Sequence, residues 1–228
     1  MFTAWPFSTK FLAAAYIAAS VANISGINWT KPLLMPLLLL WAITLFRSSV
    51  LTSGQKLWLC VALVFSWLGD IALMNVSKNW FLVGIGFFAL AQISYIALFN
   101  TFKGPGLVRA WKITLIPYLG LWVVINALIT PGDLRIPVVI YSALIVGMGI
   151  AALNTALKIN KPYRFLPAIG AVAFIISDSL IAFEEFNGID IPSGVIMFTY
   201  LLAQALIVGG VLLGQTPAGS GSRDSRKR

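Results

Sequence analysis

Apolar runs of about twenty residues follow one another along almost the whole chain, separated by short clusters of Lys, Arg, Gly and Pro. At 1.5 Å per helical residue, a run of that length matches the roughly 30 Å hydrocarbon core of a bilayer. The breaks predict eight membrane-spanning helices, near Trp5–Ile24, Asn28–Phe46, Leu57–Met74, Trp80–Phe99, Trp111–Ile129, Ile136–Leu157, Phe165–Phe183 and Ile191–Leu213. The runs are continuous, unlike the short alternating strands of a β-barrel. The expected fold class is therefore all-α: a polytopic membrane protein whose single eight-helix transmembrane domain covers residues 1–214, with short connections and no inserted soluble domain.

Composition agrees with the pattern, since 59% of the 228 residues are hydrophobic, 10% are charged and the mean hydropathy is +0.91. The net charge of +9 would suit a nucleic-acid partner, but the sixteen Lys and Arg lie between apolar runs and not along one face of a soluble module. Their placement is topological. Thirteen fall on the side of the N-terminus, against Lys31, Lys78 and Arg135 on the other, which instead carries Glu184, Glu185 and Asp190 after the seventh span. Cytoplasmic loops retain positive charge, so both termini are expected in the cytoplasm. A competing reading of the first span, Lys10 followed by an apolar run ending in Ala-Ser-Val-Ala, is a cleaved signal peptide. Residues 215–228 read as a disordered basic tail able to touch anionic lipid. Most tryptophans, including Trp5, Trp29, Trp80 and Trp111, fall near span ends and read as interface anchors.

Polar positions inside the spans narrow the chemistry. Asp70 and Asp178 are the only acidic residues set deep within apolar runs, where an ionised carboxylate costs roughly 2.5–3.5 kcal/mol on insertion scales. The chain has no histidine and a single cysteine, Cys60, so no familiar His/Cys metal site is available and no cofactor is expected; Cys60 reads as a packing residue. Proton chemistry then falls to carboxyl groups. Each Asp lies fourteen residues after a cation that opens its helix, Lys56 or Arg164. That is about 21 Å along each helix, toward the outer half of the membrane.

Equal depth suggests a repeat. Lys31-Pro32 and Arg135-Ile136-Pro137 open helices two and six, Asp70 matches Asp178, and Leu90-Ala91-Gln92 matches Leu202-Ala203-Gln204 at offsets of 104, 108 and 112 residues. The expected organisation is two parallel four-helix units, about residues 5–99 and 111–213, with the aspartates facing one another across the axis. Two such carboxyls in a low-dielectric site cannot both ionise cheaply, so they are expected to share one proton. Lys31 is placed to hold an anionic group, or alternatively snorkels at the interface. Tyr200 and Gln204, four apart, share a face toward a carboxylate, while Tyr95, Tyr141 and Asn126 read as supporting polar groups. Ser177 is a weaker candidate, because a serine in a span more often packs against a neighbouring helix. Gly69 reads as a point of close helix approach.

Gly69-Asp70 in the third span, Phe88…Tyr95 in the fourth, Ser177-Asp178 in the seventh, Tyr200-x-x-Ala203-Gln204 in the eighth and Lys31-Pro32 together resemble the YhhN-like family, the lysoplasmalogenases, over about residues 10–214. The resemblance implies an integral membrane hydrolase that cleaves the vinyl ether bond of lysophospholipids, giving a fatty aldehyde and a glycerophospho-alcohol. It implies Asp70 and Asp178 as catalytic residues, with Lys31, Gln92, Tyr95, Tyr141, Ser177, Tyr200 and Gln204 around the substrate. Relatives often carry His where this chain has Gln92, so no imidazole role operates there. A proton-coupled transporter using the two aspartates as its relay is the alternative. An intramembrane aspartyl protease fails on motif, since Trp67-Leu68-Gly69-Asp70 lacks the first glycine of Gly-x-Gly-Asp and Ser177-Asp178 lacks the tyrosine of Tyr-Asp.

Overall fold

The computed structural model describes residues 6–75, 77–102, 110–158 and 163–213. Among these residues the secondary structure is helical throughout, with α1 (Phe7–Ile24), α2 (Lys31–Leu45), α3 (Ser53–Ala72), α4 (Lys78–Asn100), α5 (Ala110–Leu128), α6 (Arg135–Lys158), α7 (Leu166–Asn187) and α8 (Ser193–Leu213). Single 3-10 turns, Asn28–Thr30 and Gly132–Leu134, lead into α2 and α6. Six helices are long and apolar enough to cross a bilayer: α1, α3, α4, α6, α7 and α8. The chain is therefore a multi-pass membrane protein. The predicted basic tail, and the cations Lys103, Arg109 and Lys161, lie outside the described residues.

Local chemistry explains where the helices depart from the expected limits. Helix α3 starts four residues before Leu57, because Thr52 accepts from the Gln55 backbone N–H at 3.3 Å while the Gln55 side chain accepts from Thr52 N–H at 2.9 Å. This reciprocal box satisfies two otherwise orphaned donors. Helix α7 runs one turn past Phe183, so Glu184 and Glu185 lie on helix and not in a loop. It stops where Gly188 takes φ 66°, a left-handed conformation that costs glycine nothing. Helix α2 has fifteen residues, since the predicted second run divides into a 3-10 turn and a helix beginning at Lys31-Pro32. At 1.5 Å per residue it is about 22 Å long, short of a full hydrocarbon core.

Helices α3 and α4 pack most closely on one another, as do α7 and α8; α4 meets α6, and α8 meets α1 and α2 to close the bundle. Small residues bring these pairs together. A Cβ on Gly69 of α3 would lie 2.7 Å from the Phe88 ring of α4, and one on Gly170 of α7 would lie 2.8 Å from the Ala203 carbonyl oxygen of α8. Lipid gives no hydrophobic drive for helix association, so such close packing carries much of the stability. The interior is filled by Leu34, Met35, Tyr95, Phe99, Met148 and Phe174, each almost wholly buried. The outer surface is apolar as well: Ile116 and Ile136 are 73% and 72% exposed, which suits side chains facing acyl chains.

Candidate active site

Helix α3 delivers Asp70 two residues before its end, and α8 sets Tyr200 and Gln204, one turn apart, against it. Tyr200 donates its hydroxyl proton to Asp70 Oδ2 at 2.8 Å. Gln204 Nε2 donates to Ser66 Oγ at 3.1 Å and reaches the Tyr200 hydroxyl at 3.5 Å, while Tyr95 of α4 donates to Gln204 Oε1 at 2.6 Å. The network ties α3, α4 and α8 together around a carboxyl group that is only 3% exposed. Lys31, the first residue of α2, lies within electrostatic reach of Asp70.

Asp178 has a separate set of partners. Its Oδ2 accepts a hydrogen bond from the Tyr141 hydroxyl of α6. Gln92 of α4 lies beside that hydroxyl, short of hydrogen-bond geometry, and neither atom of its buried amide has a partner. The two aspartates are within electrostatic reach of one another. Phe88, Phe174 and Tyr200 join their surroundings: the three rings pack edge to face with centroids 5.6 to 6.3 Å apart. Tyr200 holds Asp70, and Phe88 walls the space in front of Asp178.

Access separates the two acids. Asp178 is half-buried and faces two small cavities of about 50 and 40 Å³, one walled by Leu73, Phe81, Ile85 and Phe88, the other by Ile125, Ile129, Ile145 and Val146. Each is large enough for a water, and Asp178 and Tyr141 supply polar partners. Asp70 lines neither of them. A larger cavity of about 420 Å³ lies at the end of the bundle where α1, α3 and α7 finish and α2, α4 and α8 begin. It shares Leu73, Phe81 and Ile181 with the 50 Å³ cavity, so those three side chains stand between it and Asp178.

Of the residues picked out in the sequence, Asp70, Tyr200, Gln204 and Tyr95 form one connected network, and Asp178, Tyr141 and Gln92 form a second cluster. Ser177 belongs to neither: it donates to the Ile196 carbonyl of α8 at 3.3 Å and serves helix packing. Asn126 is likewise apart, bonded to the Trp122 carbonyl and to Ser142. Tyr141, read as a supporting group, in fact touches a carboxylate directly. Ser66 escaped the sequence reading, although its position one helical turn before Asp70 places it on the same face. Removing the Tyr95 hydroxyl strips Gln204 Oε1 of its donor, so Tyr95→Phe should lower stability in detergent by about 1 kcal/mol, read as a drop in the thermal midpoint.

Comparison with known proteins adds an independent result. The YhhN family signature matches residues 27–211. A protein of Mycobacterium tuberculosis named lysoplasmalogenase is 30% identical over 171 residues, covering 71% of this chain, and its Mycobacterium bovis counterpart gives the same figures. The chain spans 62% of the length of these mycobacterial relatives. A lysoplasmalogenase of Bos taurus is 28% identical over 194 residues, covering 80% of this chain and 78% of the relative. No solved structure matches. The family signature takes in α2 through nearly all of α8 and hence every residue of both aspartate clusters. The chain belongs to the YhhN family.

Proposed function

We propose that this protein is a membrane hydrolase that cleaves the vinyl ether bond of lysoplasmalogens, with Asp178 as proton donor and Asp70 as the fixed negative charge. The observation that carries the assignment is the difference in access: Asp178 faces two cavities, whereas Asp70 is sealed behind Tyr200 with Lys31 near it. The relatives named lysoplasmalogenase supply the substrate class.

The reaction asks little else of the protein. A vinyl ether accepts a proton at its outer alkene carbon, and the carbon next to oxygen becomes an oxocarbenium-like cation. Asp178 gives that proton, with Tyr141 holding Oδ2 and the other carboxyl oxygen carrying the hydrogen. The Asp70 carboxylate, in a low-dielectric interior, offsets the developing positive charge. A water beside Asp178 then adds to the cationic carbon and returns its proton to the carboxylate. The hemiacetal collapses by breaking its bond to the glycerol oxygen, which takes up a proton, leaving a fatty aldehyde and a free hydroxyl. One water is consumed, and the carboxyl group ends protonated as it began. Division of labour between two carboxyls is familiar from glycoside cleavage, where the intermediate cation is similar.

The two clusters also support the duplicated arrangement. Gln204 of the second unit serves Asp70 of the first, and Gln92 of the first lies in the Asp178 cluster of the second. Phe88 and Tyr200, which the Gln92/Gln204 offset makes equivalent, meet edge to face at 6.0 Å. Such a crossing is what a twofold axis between α4 and α8 produces. On this reading α2 and α5 complete eight spans, both termini are cytoplasmic by charge retention, and the large cavity faces the outer leaflet. The transporter alternative draws no support from the helices, since α3 and α7 run unbroken through Asp70 and Asp178, whereas carrier sites are built on interrupted helices.

Purified protein should release fatty aldehyde from a lysoplasmalogen and leave the ester-linked lysophospholipid intact. Cleavage of the ester, or no aldehyde from any vinyl ether lipid, would remove the proposal.

A further inference from the structure

The 420 Å³ cavity has a lining that the cleavage chemistry does not use. Lys31 enters from the start of α2, and Glu184 and Glu185 from the last turns of α7. Asn23, near the end of α1, also lines the cavity; it is only 4% exposed, and neither its amide nitrogen nor its oxygen has a hydrogen-bond partner. Its amide atoms are themselves closed off from the cavity, so the charged groups offered to a ligand are Lys31, Glu184 and Glu185. Apolar side chains, Leu73, Phe81 and Ile181, form the inner wall toward Asp178.

The cavity thus offers a cation from α2 and two carboxylates from α7, above an inner wall of apolar side chains. A zwitterionic phospholipid headgroup has the matching pattern, with an anionic phosphate and a terminal ammonium on a short tether. The type of ammonium is also legible. A primary ammonium donates three N–H groups, which carboxylates and amide oxygens accept as charge-assisted hydrogen bonds. A quaternary ammonium donates none, and its usual receptor is a cage of aromatic faces. Phe81 is the one aromatic among the described lining residues, and it is engaged edge to face with Phe186 at 5.7 Å.

We propose that this cavity is the headgroup site, with Lys31 on the phosphate and Glu184 and Glu185 around the terminal nitrogen, and that it selects ethanolamine over choline lysophospholipids. The proposal rests on the lysophospholipid reading above and adds the residues that set headgroup preference. Glu184 and Glu185 are exposed at the helix end, so their conversion to Gln leaves the packing of the bundle untouched.

The test is direct binding of saturated 1-O-alkyl lysophospholipids, which have the headgroup and tether but no vinyl ether to cleave, to the full chain in detergent. The ethanolamine lipid should bind about fivefold tighter than its choline counterpart. The double variant Glu184→Gln/Glu185→Gln should lose that preference by weakening the ethanolamine lipid alone, while Lys31→Gln should weaken both lipids equally. Equal binding of the two lipids by the parent, or an unchanged preference in the double variant, overturns the headgroup site. If the preference is present and yet no aldehyde is released from a vinyl ether lipid, the reaction assignment fails and the headgroup site stands.

Discussion

Replacing Asp178 with Asn should lower aldehyde release from lysoplasmalogen by about 10³-fold, within the range that a positioned general acid contributes. Asn keeps the shape and still accepts the Tyr141 hydroxyl through its amide oxygen, so the cluster on α6 and α7 stays assembled. It has no transferable acidic proton, and the vinyl ether carbon is a weak base that water protonates slowly at neutral pH. Binding of the saturated alkyl lysophospholipid should change little, which separates loss of chemistry from loss of fold. Asp70→Asn should also slow the reaction, because it removes the negative charge that acts on the cation from behind Tyr200, while Tyr200 retains an acceptor. Parent-rate turnover by both the Asp178→Asn and the Asp70→Asn protein would end the carboxylate mechanism, and loss confined to Asp70→Asn would reverse the two roles.

The largest effect on stability is expected from Gly170→Val. A Cβ there would sit 2.8 Å from the Ala203 carbonyl oxygen, 2.9 Å from Ile207 Cγ1 and 3.0 Å from Ile207 N. Two of those three atoms are backbone of α8, which cannot rotate aside as a side chain would. The helix itself must move, and it carries Tyr200 and Gln204, so the Asp70 network moves with it. Overpacking a tight contact costs about 1–3 kcal/mol, and a branched side chain belongs at the top of that range. The thermal midpoint in detergent should fall by several degrees. Gly86→Ala is the control, since a Cβ at Gly86 meets nothing within 4 Å and alanine favours the helix by about 1 kcal/mol. Equal midpoints for the two variants would show that the α7–α8 contact does not limit stability.

Both predictions turn on positions of different visibility in the sequence. Asp178 stands out at once, because a carboxylate in an apolar run has no cheap explanation. Gly170 does not, because a glycine in a span fits a helix contact, a bend or open space equally well; the contact with Ala203 and Ile207 is known only from their placement on the neighbouring helix. The same division holds in the site. Tyr200 and Gln204 are one turn apart, so their shared face follows from helical geometry alone. That Tyr141 from α6 meets Asp178, while Ser177 next to it turns to the Ile196 carbonyl, depends on how three helices rotate against one another.

What the sequence determined was the one-dimensional part: helix-length apolar runs, two costly aspartates, the absence of histidine and the asymmetry of positive charge. These follow from rules that act along a single helix or across one bilayer, where spacing and side-chain type suffice. The tertiary structure decided which helices touch, which acid faces a cavity and which is sealed, and that Glu184 and Glu185 share a cavity with Lys31 and Asn23. Those outcomes come from side chains brought together across the bundle. In lipid, where every apolar face is nearly equivalent in solvation, packing shape and hydrogen bonding choose among arrangements that the hydrophobic pattern leaves equal.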